Sequence, residues 1–146
     1  MSEPVTIRVP EASDFETLAA LERQCFSDPW SESSLREMAA SPHTRYLAAE
    51  YEGRIVGYCG AQVVLDEGDI LRIAVDETVR RQGIGRALLA ALWQCTPEIC
   101  LWNLDVRAGN EAARALYCKN GFIPVGTRKN YYREPAEDAV LMRRKG

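Results

Sequence analysis

Arg80-Arg81-Gln82-Gly83-Ile84-Gly85-Arg86 puts three guanidinium groups and two glycines into one short run. That mixture suits the binding of phosphate. Glycines let backbone N–H groups approach anionic oxygens, a helix N-terminus adds partial positive charge, and arginines add full charges. The flanks fit, because Ile70-Leu71-Arg72-Ile73-Ala74-Val75 reads as a strand and Ala87-Leu88-Leu89-Ala90-Ala91-Leu92-Trp93 as a helix. The spacing excludes two other phosphate-binding devices. No Gly-x-x-x-x-Gly-Lys-Ser/Thr occurs, and Leu88 stands where a dinucleotide fingerprint needs its third glycine.

The remaining reactive side chains form no cluster. Cys25, Cys59, Cys95, Cys100 and Cys118 are odd in number, lack any Cys-x-x-Cys, and mostly sit in apolar or helix-periodic runs. They are expected to be reduced core thiols of a cytoplasmic protein. His43 is the only histidine, beside Pro42 in an expected loop, so no metal site is expected. The formal net charge of −3 gives no global attraction to nucleic acid or to an anionic membrane, and neither is expected as a partner. Affinity for phosphate must be local. Met1-Ser2-Glu3-Pro4 lacks a signal pattern, and no apolar run reaches membrane-spanning length.

The elements that must position these residues are readable from periodicity. Thr6–Val9 alternates as a strand. Ser13-Asp14-Phe15-Glu16 has the form of a capping box, followed by helical spacing to Cys25. Asp28-Pro29-Trp30-Ser31 breaks that helix, and a second is expected over Glu32–Ala40. Arg45–Tyr51 and Arg54–Leu65 read as a hairpin about Glu52-Gly53, and Asp66–Asp69 as a turn into the strand Ile70–Val75. After the Ala87–Cys95 helix, Ile99–Val106 reads as a strand covered on both faces. Asn110 is expected to cap a helix that ends near Gly121, and Phe122–Arg128 and Ala139–Arg143 close the chain as strands. One domain over residues 1–146 follows, with a mixed α/β fold. The strand–helix–strand unit around the glycine turn makes Ile70–Val75 and Ile99–Val106 a parallel pair, and the hairpins make the other strands antiparallel.

On Arg80-x-x-Gly83-x-Gly85 and this element order, the chain resembles the Gcn5-related N-acetyltransferases over nearly its whole length. The resemblance implies a mostly antiparallel seven-stranded sheet with a central parallel pair and helices on both faces. It also implies acetyl-CoA as cosubstrate. Backbone groups of Ile73, Ala74 and Val75 would meet the pantetheine arm. Arg80, Arg81, Gln82, Gly83, Ile84, Gly85 and Arg86 would hold the pyrophosphate, Asn110 would contact the cofactor arm, and Tyr117 would point at the thioester sulfur. From the residues alone, Tyr117 could equally be a core aromatic on a stripe with Ala113, Leu116 and Asn120.

Four further segments resemble the ribosomal-protein-alanine N-acetyltransferase (RimI-type) subfamily: Phe26–Glu32, Val63–Glu67, Leu104–Asn110 and Arg128–Tyr132. That resemblance implies transfer to the α-amine of an N-terminal alanine, with a ribosomal protein as the acceptor. Asp105 stands where the subfamily usually has the glutamate taken as general base. An α-amino group has a pKa of about 7.7–8.0, so a group must accept its proton near neutrality. An ordinary aspartate, near pKa ~3.9, matches that task poorly unless burial raises it, and its reach is one methylene shorter. Asp105 could act through a water, or Glu67 could hold or deprotonate the amine; a pairing of Asp105 with Arg107 or Arg72 is the purely structural alternative. Tyr117 would protonate the departing thiolate. Cys118, the neighbour of Tyr117, points about 100° away on a helix and has no histidine to activate it, so it is expected to pack. Trp30, Tyr131 and Tyr132, expected in loops, suit peptide recognition. A small-amine acetyltransferase and a non-catalytic acyl-CoA sensor remain open at this stage.

Overall fold

The chain runs β1 (Thr6–Arg8), α1 (Phe15–Cys25), α2 (Glu32–Ala39), β2 (Thr44–Tyr51), β3 (Arg54–Val64), β4 (Glu67–Val75), α3 (Ile84–Cys95), β5 (Leu101–Arg107), α4 (Glu111–Lys119), β6 (Ile123–Arg133) and β7 (Ala136–Lys145). This is the expected order, seen in a computed structural model that describes residues 5–80, 82–133 and 135–146. The seven strands make one sheet in the spatial order β1-β2-β3-β4-β5-β7-β6. Among the described residues only β4 and β5 pair in parallel. Among the described residues no helix is long and apolar enough to cross a membrane.

Each face of the sheet is covered by helices whose apolar stripes recur at helical spacing. On one face Phe15, Leu18 and Leu21 of α1 and Leu35 of α2 meet Tyr46, Tyr58 and Ala74. On the other, Ile84, Leu88 and Leu92 lie four residues apart along α3 and pack with Val56, Ile70, Trp102 and Leu104. Leu18, Leu35, Leu88 and Leu92 are wholly buried, and each such side chain stabilises the fold by roughly 1.5–3 kcal/mol. The caps follow side-chain chemistry. Ser31 Oγ accepts the Ser34 N–H at 3.2 Å, and Asn110 Oδ1 accepts the Ala113 N–H at 3.1 Å. At α1 the structure departs from expectation. Asp14 is drawn into an ion pair with Arg8 at 2.7 Å, accepts the Glu11 N–H at 2.6 Å, and closes a short 3₁₀ turn over Ala12–Asp14, so the helix starts at Phe15 rather than behind a Ser13 cap.

Four other expectations are corrected. The turn between β3 and β4 needs only Leu65 and Asp66, because Leu65 adopts a positive φ of 56°; Glu67 is therefore a strand residue. β5 alternates fully, with Trp102, Leu104 and Val106 buried between half-buried Asn103, Asp105 and Arg107. Its second face is therefore not packed, contrary to the expectation of a strand covered on both sides. Tyr131 and Tyr132 lie on β6, not in a loop, because β6 and β7 run on as a long hairpin with a bulge near Asn130, whose φ is 53°. Among the cysteines only Cys59 is fully buried, its thiol pushed up to about 12 by that burial, whereas Cys95, Cys100 and Cys118 are exposed. Cys118 therefore faces solvent instead of packing.

Candidate active site

The parallel strands β4 and β5 pair over three rungs, Glu67 with Leu101, Gly68 with Trp102 and Asp69 with Asn103, and then part. The parallel pair expected of these two strands therefore forms, with its rungs at Glu67–Asp69 rather than along Ile70–Val75, where the strands splay. The cause lies in β4: between Ile70 and Arg72 its register against β3 shifts by one residue at Leu71. Such a bulge bends the strand and resets which face each side chain takes. Before it, Gly68 and Ile70 face the α3 side; after it, Ile73 does, while Arg72 and Ala74 turn to the α1 side. The split opens a cavity of about 960 Å³ bordered by both strands.

The wall toward α1 is polar and charged. Asp69 from β4, Asn103 and Asp105 from β5, Arg128 from β6 and Arg143 from β7 all line it. Asp105 Oδ1 accepts a hydrogen bond from Arg128 Nε at 3.0 Å. That partner is neither of the two considered from sequence. Arg107 instead pairs with Glu137 at 3.4 Å, and Arg72 with Glu22 at 3.2 Å. Arg143 Nε donates to Asn103 Oδ1 at 2.9 Å, which leaves the Asn103 amide N–H groups for Asp69, to which that side chain is hydrogen-bonded. Burial pushes the Asp69 carboxyl above its ordinary range, the Glu67 and Asp105 carboxylates push it further, and the Asn103 hydrogen bond opposes them. Sequence reasoning passed over Asp69 because it placed that residue in a turn. The signal was available in the alternation of Glu67, Asp69 and the apolar Ile70 once the turn is shortened. Glu67 itself is exposed and stands outside the cavity lining.

Toward α3 and α4 the lining changes to Ile73, Asn110, Ala113 and Tyr117. Tyr117 is 6% exposed, its ring edge-on to Phe122 at 5.7 Å between centroids. It thus belongs both to the core stripe and to the cavity wall. Its hydroxyl makes no hydrogen bond among the described residues, and burial pushes its pKa well up, so it is a protonated phenol at any ordinary pH.

The glycine turn lies beyond the cavity lining, at the start of α3. Gly83 is its N-cap in the left-handed region, with φ of 79° and open space around its α-carbon. Gln82 and Arg86 are exposed, and α3 has no acidic residue in its first turn. Two residues differ in character from a phosphate cradle. Ile84 has its side chain in the core, and a Cβ on Gly85 would lie 3.0 Å from Leu116 Cδ2, so Gly85 serves the contact between α3 and α4. Arg80 folds back, its Nε donating to the Val75 carbonyl at 3.1 Å. Ala74 is buried against β3. Arg81 lies outside the described residues.

The remaining wall is the segment between α1 and α2. Trp30 and Phe26 sandwich the Arg72 guanidinium at 4.2 and 4.0 Å from their ring centroids. Buried Glu22 fastens the arrangement. Its Oε1 accepts the Trp30 backbone N–H at 2.8 Å and pairs with Arg72, and its Oε2 accepts the Tyr58 hydroxyl. Tyr131 and Tyr132 close the cavity from β6, edge-on to one another at 5.1 Å, with Tyr132 stacked on Arg107 at 4.3 Å. Burial and the nearby Asp105 push the Tyr132 hydroxyl up to about 12.

A sheet split between a parallel pair, a glycine turn opening the crossover helix and a tyrosine on the next helix define an acyltransferase architecture. The family model described as the acetyltransferase (GNAT) family matches residues 15–122. The chain belongs to that family. Among curated relatives it is 39% identical to the N-alpha-acetyltransferase RimI of Mycobacterium tuberculosis, over 98% of this chain and 94% of that one. It is 38% identical to the [ribosomal protein bS18]-alanine N-acetyltransferase of Escherichia coli, over 94% of this chain and 95% of that one. The crystal structure of the ribosomal-protein-S18-alanine N-acetyltransferase from Escherichia coli superposes with a TM-score of 0.88 at 34% identity, covering 97% of this chain and 94% of that one.

Proposed function

We propose that this protein transfers the acetyl group of acetyl-CoA to the α-amine of an N-terminal alanine on a ribosomal protein of the bS18 type, in the cytoplasm where such proteins are made. The observation that carries this reading is the gap between β4 and β5, with carboxylates on its α1 side and the Tyr117 phenol on its α4 side. The full-length similarity to enzymes named for that acceptor supports the substrate.

The chain's residues fit the donor. Beyond Asp69, β4 has no ladder partner in β5, so the Ile73–Val75 edge can meet an amide-rich arm. Gly83 leaves open space at a helix start free of acidic side chains, and the exposed Gln82 and Arg86 flank it for a pyrophosphate. The side chains of Arg80 and Ile84 are committed elsewhere and Gly85 lies against Leu116, so any contribution from that trio is through backbone. Asn110, at the α4 cap, borders the same passage.

When bound, acetyl-CoA supplies a thioester whose acetyl carbon is open to attack. The acceptor amine enters from the α1 side, between Trp30, Tyr131 and Tyr132. A carboxylate in that wall accepts its proton, and the resemblance assigns that task to Asp105. Tyr117 then donates its proton to the departing sulfur. The test is a mass-spectrometric assay with acetyl-CoA and short peptides that differ in their first residue, with spermidine as a further acceptor. Acetylation of alanine-first peptides at the α-amine is expected. Preference for spermidine would move the protein to small-amine transfer, and tight acetyl-CoA binding without transfer to any amine would make it a sensor.

A further inference from the structure

Two carboxylates face the acceptor side of the split, and they are held differently. Asp105 is tied to Arg128 at 3.0 Å. Asp69 stands on the last rung of the parallel ladder, at the apex of the opening, and has no ion-pair partner among the described residues. The cations around it are committed: Arg128 to Asp105, Arg143 to Asn103, and Arg72 to Glu22. The groups facing it are Gln62 across β3, Glu67 on its own strand, Asn103 and Asp105 from β5, and Arg143 from β7. Its neighbours are thus two further carboxylates and neutral amides, with Arg143 of β7 turned to an amide oxygen.

We propose that Asp69 takes the proton from the acceptor's α-ammonium, with Asp105 as the fixed counter-charge beside it. This rests on the acetyltransferase reading above. A carboxylate already bonded to a guanidinium loses that charge-assisted bond when it is protonated. Asp69 is exposed at the mouth of the opening, but a carboxylate crowded by like charges gains by accepting a proton, and the upward push on Asp69 agrees with this. The step balances. An N–H bond of the ammonium breaks and an O–H bond forms on Asp69. The freed lone pair attacks the acetyl carbon, and the C–S bond breaks with its electrons going to sulfur, which takes the Tyr117 proton. The nitrogen loses a second proton as the amide forms, and through solvent this restores Tyr117. Asp69 releases its own proton to solvent, so one proton is released per transfer.

The experiment compares wild type with Asp69→Asn, Asp105→Asn and Glu67→Gln, using an alanine-first peptide, pH–rate profiles and thermal melts. Asp69→Asn is expected to lower kcat by roughly 10²–10⁴, the size of general-base effects. It is also expected to raise the melting temperature at neutral pH. Asp69 has a raised folded pKa, so the gain in the variant is complete above that raised value, fades as pH falls through it, and is gone below the ordinary aspartate range. Asp105→Asn should act mainly on KM. Glu67→Gln, by removing a like charge, should move the acidic limb of kcat to lower pH. If Asp69→Asn keeps kcat within about threefold of wild type, the assignment is overturned. A lowered melting temperature in that variant also overturns it, since Asp69 would then be a structural support. If wild type acetylates no alanine-first peptide, the parent reading fails and this one falls with it, which the wild-type assay alone reveals.

Discussion

Replacing Tyr117 by phenylalanine isolates one oxygen atom. The ring is 6% exposed and sits edge-on to Phe122, so a phenyl ring in its place would keep those contacts. No hydrogen bond among the described residues is lost with the hydroxyl, so the melting temperature should hold or rise slightly. Removing a general acid costs roughly 10²–10⁴ in rate, or about 2.7–5.5 kcal/mol of barrier. The structure places this case near the lower end. An ordinary tyrosine, near pKa ~10, lies above a thiol of about 8.5, and burial raises the phenol further. A weaker acid transfers less of its proton in the transition state, so a loss of roughly 10² in kcat is expected. The peptide KM should change little. Following free-thiol release at saturating acetyl-CoA and peptide measures both constants. The wild-type rate should also show no basic limb from Tyr117 between about pH 6 and 9, because the phenol stays protonated there. A folded Tyr117→Phe variant with near-normal kcat would refute the acid role and leave Tyr117 as core.

Three other outcomes follow from the same geometry. Gly83→Ala should fold, at a cost of about 1–2 kcal/mol because its φ is 79°, and should weaken acetyl-CoA binding; calorimetry showing unchanged affinity would remove the turn from the donor site. Gly85→Val belongs to a different class, since its side chain would press on Leu116, and it should lose roughly 1–3 kcal/mol in denaturant melts whether or not acetyl-CoA is bound. On acidification the protein should lose stability through Asp14 and Asp76. The Arg8 guanidinium holds the first carboxyl below its ordinary value and the Thr78 backbone N–H the second, so their contribution is complete above the ordinary aspartate pKa and disappears as pH falls through the depressed folded values. Asp14→Asn should flatten that part of the stability curve, and an unchanged acid midpoint would contradict the linkage.

Elements whose signal is local could be read from the sequence. The Leu88 and Leu92 positions of α3, the Asn110 cap and the Glu52-Gly53 turn each rest on side chains close together in the chain, and each forms as expected; α3 starts earlier than expected, with Ile84 on its buried stripe. The parallel relation of β4 and β5 followed because a crossover helix between two strands admits few topologies. What could not be read depends on long-range competition. Ser13 has the chemistry of a cap, but Asp14 is claimed by Arg8 from β1, and the helix start moves. Tyr131 and Tyr132 looked like loop aromatics because β6 carries no apolar alternation, its residues being nearly all exposed; its pairing with β7 holds it extended.

Residue types and the family resemblance pointed to the site, but where the strands part was not legible, and the bulge at Leu71 explains why. Without it, β4 and β5 would pair to the end, Asn103 and Asp105 would lie under a covering face, and β5 would have to be apolar on both sides. With it, the strands part after Asp69, and the same alternation of Trp102, Asn103, Leu104 and Asp105 becomes a core face and a cavity face. The polar residues of β5 are therefore the trace of an opening that begins on another strand. The same reasoning bears on the shorter reach of Asp105 where the subfamily resemblance expects glutamate. An aspartate there leaves unfilled length in the cleft and is drawn to Arg128. Asp69, on the opposite strand at the apex of the opening, brings a second carboxylate to the same wall. On the proposed reading, the charge that meets an ammonium is thus divided between the two strands that part.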